Sequence, residues 1–181
     1  FIEDPTLYRS WRMQAAAEGL RVRIGRWNVP GKPTAILVDF KQFLTRQNEI
    51  MTEFWKRFGV DSLTGNWDYR ESALFGYAAG RVIESFYNFN LEPSDKIVAQ
   101  FHEWMTGTGL LYLKSVNVPI ATVFTTHATV IGRCIAGNNL PLYDGMMNWN
   151  ADEKAQHFNV VARHSLEKKA AQNSDIFTTV S

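Results

Sequence analysis

Apolar residues recur along this chain at two different periods, and the switches between them outline its elements. Over residues 7–19, Leu7, Trp11 and Ala15 fall at helical spacing and Gly19 supplies a stop, which predicts a helix. Residues 21–28 alternate instead, Val22 and Ile24 against Arg21 and Arg23, the pattern of a half-exposed strand. Pro30-Gly31 signals a turn and residues 34–40 form a continuous apolar run, so these two segments predict a hairpin. Residues 49–58 and 71–86 read as helices joined by a polar loop around Thr64-Gly65-Asn66.

The second half changes character. Residues 96–101, 118–124 and 175–180 are short runs too apolar for strands with one wet face. A helical segment at 105–115 separates the first two runs, and two more, at 128–137 and 151–172, separate the last two. The later one opens with Asn150 as N-cap and Glu153 three residues on, a capping-box signature. Strands alternating with helices predict an α/β fold, a mainly parallel sheet covered on both faces, with the hairpin adding antiparallel pairing at one margin.

Composition narrows the class. At 181 residues the chain reads as a single domain spanning 1–181, long enough for one sizeable core. Nineteen basic against 18 acidic side chains leave a net charge of +1, so no field attracts nucleic acid or an acidic membrane. No apolar stretch approaches the ~18–20 residues that span a bilayer, and no secretory signal is visible near Phe1. The lone Cys134 makes no internal disulfide and builds no zinc site, which fits a reducing, cytoplasmic setting and a role as buried filler. The chain opens at Phe1 rather than Met and stops at Ser181 directly after a strand-like run, as an internal piece of a longer protein would.

In open α/β sheets, ligands bind beyond the carboxyl ends of the parallel strands. Two such ends carry unusual residues: His102-Glu103-Trp104 after the first apolar run, and Thr125-Thr126-His127-Ala128-Thr129 after the second. Both project to one edge, where two imidazoles and a carboxylate suit hydroxyls and developing charge. A structural role for strand-end histidines weighs about equally. Trp104 stacks on a sugar or packs its helix, and Arg133, six residues after His127, meets a phosphate or lies on the surface. The helix that follows His127 would present free N–H groups and a positive dipole end to that edge. Sharper motifs fail. Gly107-Thr108-Gly109 lacks the third glycine of a dinucleotide fingerprint, there is no phosphate-binding loop, and there is no H-E-x-x-H. His157 and His164 lie two turns apart on one expected helical face, too far for an i, i+4 metal pair, and read as surface or core residues.

Four motifs carry a resemblance. Gly25-Arg26-Trp27 with Pro30-Gly31-Lys32-Pro33, Leu37 and Asp39 is similar to the G-R-W…G-x-P…L-x-D hairpin of eukaryotic-type glycogen (starch) synthases. Phe101-His102-Glu103-Trp104 with Gly107 resembles their H-F-H-E-W-x-x-G segment, and Phe124 to Thr129 with Gly132-Arg133 their F-T-T-H-A-T-x-x-G-R. Glu167 with Asp175-Ile176-Phe177-Thr178-Thr179-Val180-Ser181 resembles their E-x-A-A…D-V-F-T-T-V-S. The resemblance runs from Arg23 to Ser181 in order and near family spacing.

It implies the amino-terminal, Rossmann-like domain of a GT-B glycosyltransferase, whose carboxyl-terminal nucleotide-binding domain lies outside this chain. It implies a retaining enzyme adding α-1,4-linked glucose from UDP-glucose to glycogen or a starch-like glucan, with no metal and no cofactor. Its partners would be a nucleotide sugar and a glucan acceptor, and homo-oligomers are compatible with it. Carried over by position, His127 contacts the donor glucose near its 6-hydroxyl, Thr126 lies beside it, and Arg133 approaches the sugar-phosphate region. Glu103, with His102 beside it, lines the acceptor side; His127 and Glu103 are the catalytic candidates, and Arg133, His102, Trp104 and Thr126 the substrate-binding ones. Ala162-Arg163-His164-Ser165 stands where the family has H-R-Y-C, and the segment after Arg133 is one residue shorter, as in a divergent branch, such as a bacterial one. Two alternatives stay open: another GT-B glucosyltransferase, of the ADP-glucose starch synthase or sucrose synthase kind, and a non-catalytic glucan- or nucleotide-binding module. The intact G-R-W and F-T-T-H-A-T motifs argue against the first.

Overall fold

A computed structural model describes residues 1–180 of the chain; Ser181, the last residue of the late motif, lies outside the described residues. The chain begins with a two-residue strand β1 (Ile2–Glu3) and helix α1 (Arg9–Ala17), which buries Trp11 and Ala15. Gly19 adopts φ 76° after the helix, the left-handed stop that its sequence position predicts. Strands β2 (Arg21–Arg26) and β3 (Thr34–Asp39) pair antiparallel with Ile24 opposite Ile36, as the alternation requires. The hairpin does not join the parallel sheet. With β1 on the free edge of β2 it forms a separate three-stranded sheet, and Gly25 permits that pairing, since a Cβ there would lie 2.1 Å from the Ile2 carbonyl oxygen.

A 3-10 turn at Lys41–Arg46 leads into α2 (Gln47–Phe58) and then α3 (Trp67–Asn90), which exceeds its predicted span at both ends. Asn66, read as loop, is its N-cap: the Asn66 side chain accepts the Tyr69 N–H at 3.1 Å. The long helix packs most extensively on α4 (Gly107–Val116), where Gly76 and Gly109 let the two backbones touch. Helix α4 is apolar almost all round and buries Leu110, Leu111 and Leu113, because it is enclosed by α3, strands and later helices.

Strands β4 (Val98–His102), β5 (Ala121–Thr126) and β6 (Ile176–Thr179) form the parallel sheet in that order, with Phe101, Phe124 and Phe177 in one register row. This is the expected α/β arrangement of parallel strands flanked by helices. Cover is one-sided on the edge strand β4, however. Ala99 and Phe101 are buried on one face of β4, whereas Val98, Gln100 and His102 on the other are exposed. Strand β5 ends two residues later than its apolar run suggested, because Thr125 and Thr126 continue the ladder opposite Thr178 and Thr179.

Helix α5 (Val130–Gly137) follows β5, and the last predicted helix is two: α6 (Ala151–His157) and α7 (Val161–Asn173). The break falls at Asn159, φ 55°, a residue type that tolerates the left-handed region. Asn150 caps α6 as predicted, its side-chain oxygen accepting the N–H groups of Asp152 and Glu153. His157 and His164 consequently sit on different helices. His157 is exposed against Phe158, while buried His164 bonds Asp152 at 2.9 Å and ties α7 to α6. Cys134 on α5 is half-buried rather than core, and burial pushes its thiol pKa up.

Candidate functional site

The carboxyl ends of β4 and β5 are neighbours because His102 pairs in register with Thr125. His102 closes β4 and His127 directly follows β5, so the late end of β5 carries the two rings to the same edge. Their centroids are 5.4 Å apart, and His102 Nδ1 lies 3.2 Å from His127 Nε2. One imidazole donates and the other accepts, according to tautomer, and each keeps a second ring nitrogen for a ligand. Both side chains are exposed on the edge.

Glu103 is held in a conformation that glycine normally occupies, φ 64° and ψ 165°. Its N–H donates to the Thr125 carbonyl at 2.9 Å, and the Thr106 hydroxyl donates to the carbonyls of His102 and Glu103 at 2.8 and 3.3 Å. The bend carries the carboxylate over the next strand end. Glu103 Oε1 accepts the His127 backbone N–H at 2.8 Å and lies 4.0 Å from Arg133 Nη2. Glu103 is 14% exposed and Arg133 is 65% exposed, so the carboxylate is an inner anchor while the guanidinium reaches outward.

The start of α5 is not free. Thr129 is the N-cap and accepts the Gly132 N–H at 3.0 Å. The Val130 N–H points at both carboxyl oxygens of Glu167, at 3.0 and 3.2 Å. Two of the expected bare N–H groups, those of Val130 and Gly132, are therefore satisfied internally, and Arg133 is the outward cation of this element. Glu167 is buried on α7, and burial pushes its pKa up to about 7. The Val130 N–H and Arg133 oppose that rise, and Glu103 adds to it. Sequence reasoning attached Glu167 only to a motif. The sharper signal was a carboxylate flanked by Leu166 and Ala170 on the inward face of a helix.

Two other candidates lie apart from the cluster. The Trp104 ring stacks on Tyr69, with centroids 6.0 Å apart and planes 9° from parallel, and the Arg163 guanidinium sits 5.2 Å from its centre. Those contacts make it part of the packing between α3 and α7. Thr126 is 2% exposed within the sheet, so its side chain does not line the open edge. A cavity of about 480 Å³ lies elsewhere, lined by Met51, Trp55, Leu63 and Arg70 among others. Among the described residues no three His, Cys, Asp or Glu side chains are arranged to hold a metal ion, and no helix is long and apolar enough to cross a membrane.

The family model described as glycogen synthase matches residues 3–181, so the likeness begins well before Arg23. The glycogen (starch) synthase of Dictyostelium discoideum is 37% identical over 163 residues, 90% of this chain and 18% of that protein. The glycogen (starch) synthase of Neurospora crassa is 31% identical and the liver glycogen (starch) synthase of Rattus norvegicus 30%, each over 90% of this chain and 23% of its own length. The chain thus spans about a fifth of the length of these relatives. A match along nearly the whole chain, through the motifs that build the sheet edge, has one consequence: the chain belongs to the glycogen synthase family.

Proposed function

We propose that this chain supplies one wall of the active site of a retaining glucosyltransferase that extends glycogen or a similar α-1,4-glucan from a nucleotide sugar, UDP-glucose in the first instance. The observation that carries the reading is the meeting of His102, Glu103, His127 and Arg133 at the carboxyl edge of a parallel sheet. Family membership supplies the chemistry that such an edge would serve.

Transfer breaks the bond between the anomeric carbon and the diphosphate and forms one from that carbon to an acceptor hydroxyl oxygen. The hydroxyl proton leaves with the diphosphate. The side chains here position the reactants and stabilise charge. His127 would hold a donor glucose hydroxyl through a free ring nitrogen. Arg133, exposed and forked, would meet the diphosphate, which a planar guanidinium suits better than an ammonium. His102 would lie toward the acceptor. Glu103, whose inner oxygen holds the His127 N–H, would act mainly by fixing the donor-side groups. The other wall would come from the part of the protein outside this chain, which is also why the 181-residue chain alone should transfer no glucose. A reducing, cytoplasmic setting accompanies this reading, in keeping with a single cysteine that makes no internal disulfide.

The test is transfer of labelled glucose to glycogen by the full-length protein, with UDP-glucose and ADP-glucose supplied separately. His127→Ala should cut turnover about a hundredfold, by analogy with loss of one preorganised donor. Transfer by the wild type with no effect of His127→Ala would remove this edge from the chemistry.

A further inference from the structure

Glu167 is the one acidic side chain among the buried polar groups described, and packing alone does not call for it. It projects from the middle of α7, three elements later in the chain than the turn it touches. Helix α5 has no acidic residue in its first turn and rests mainly on a small apolar cluster of Ile131, Ile135 and Ala155, apart from the main core. Its start is tied to the body of the fold by the buried Val130 side chain and by its packing on α7, where Glu167 supplies the polar contact. The turn between β5 and α5 is gripped at both ends by carboxylates: Glu103 takes the His127 N–H at 2.8 Å, and Glu167 takes the Val130 N–H at 3.0 and 3.2 Å. His127 stands at one end of that grip and Arg133 one turn beyond the other.

We propose that Glu167 is a positioning residue for glucosyl transfer, holding through the Val130 N–H the turn that aims His127 and the helix that aims Arg133. The inference rests on the reading of this edge as the transfer site. What the contact needs is an acceptor oxygen at that place, not a full charge. Burial pushes the carboxyl's pKa up, and the carbonyl oxygen of the neutral acid accepts an N–H as well as a carboxylate does. Glu167→Gln should therefore preserve the hold, and Glu167→Ala should release it. The same hold can be broken from the other side. Val130 is the first residue of α5, and Thr129 before it is extended at φ −65° and ψ 149°, so Val130→Pro fits the helix start while deleting the N–H.

The experiment uses the full-length protein with Glu167→Ala, Glu167→Gln, Val130→Pro and the Glu167→Ala/Val130→Pro double variant. Amide exchange of the segment 127–133 is followed by mass spectrometry beside steady-state kinetics in nucleotide sugar and glucan. Glu167→Ala and Val130→Pro should each speed exchange in that segment, lower kcat about tenfold or more and raise the donor KM, with the glucan KM little changed, since His127 and Arg133 serve the donor and small misplacements of reacting groups are costly. The double variant should be no worse than the singles, and Glu167→Gln should stay within about threefold of wild type. Unchanged exchange, unchanged kcat despite faster exchange, or a Gln variant as impaired as Ala would overturn the proposal. If Glu167→Ala does not fold, Val130→Pro and Glu167→Gln decide by the same criteria. A wild-type protein that transfers no glucose would instead overturn the transfer reading, and exchange would still report whether Glu167 holds the turn.

Discussion

Replacing Glu103 separates the two features that make its position unusual. Its carboxylate accepts the His127 N–H, and its backbone sits at φ 64°, ψ 165°, a region essentially reserved for glycine. Glu103→Ala deletes the hydrogen bond, worth about 1.5–3 kcal/mol for a charged acceptor, and keeps the strain. Glu103→Gly deletes the same bond but relieves strain of about 1–3 kcal/mol. Glycine's extra freedom in the unfolded chain returns about 0.5–1 kcal/mol of that. The glycine variant should thus be the more stable of the two by about 1 kcal/mol and by at most about 2.5 kcal/mol, the reverse of the usual order. Urea unfolding of the 181-residue chain, followed by tryptophan fluorescence, measures the difference as a shift in midpoint. An alanine variant as stable as the glycine variant would refute the claim that Glu103 is strained into place.

Glu167 also sets a pH dependence. Its pKa rises on folding from 4.5 to about 7, so between those values the native chain holds a proton that the unfolded chain has released. Stability should fall as pH rises through that window, by up to about 3 kcal/mol, and level off above it. Glu167→Gln should abolish the fall, seen as denaturation midpoints that converge with wild type near pH 4 and exceed it at pH 8. Asp175, held down at about 2 chiefly by Lys114, titrates below this window and leaves it clear. At the α3–α4 crossing, Gly109→Ala would set a Cβ 2.6 Å from the Gly76 carbonyl oxygen and 2.8 Å from the Phe101 ring. Overpacking two backbones this close should cost about 1–3 kcal/mol or more, measured as a lower urea midpoint, whereas Gly137→Ala, with open space around it, should cost little.

Local signals in the sequence carried the elements and the edge. Asn150 announced α6, alternation at Val22 and Ile24 announced β2, and strand-helix alternation placed His102-Glu103 and His127 at one end of one sheet. What escaped depends on contacts distant along the chain. Asn159 reads as an ordinary helical residue until its φ of 55° splits the late helix and sends His157 and His164 to different faces. That the hairpin stands apart from the parallel sheet, with Ile2 and Glu3 paired to β2, is likewise set by contacts that no local periodicity reveals. Glu167 and Trp104 share one lesson. A residue's type says what it can do, but only the neighbours decide it, here the Val130 N–H for one and the Tyr69 ring for the other.

The central claim is that this sheet edge receives the donor sugar. The most direct measurement is a structure of the full-length protein with bound UDP-glucose, or with UDP and a non-reacting glucose analogue. The account predicts a hexose hydroxyl within about 3 Å of a His127 ring nitrogen and the Arg133 guanidinium against the diphosphate, with Glu103 still on the His127 N–H. A donor bound elsewhere on the protein, with His127 and Arg133 untouched, would contradict it.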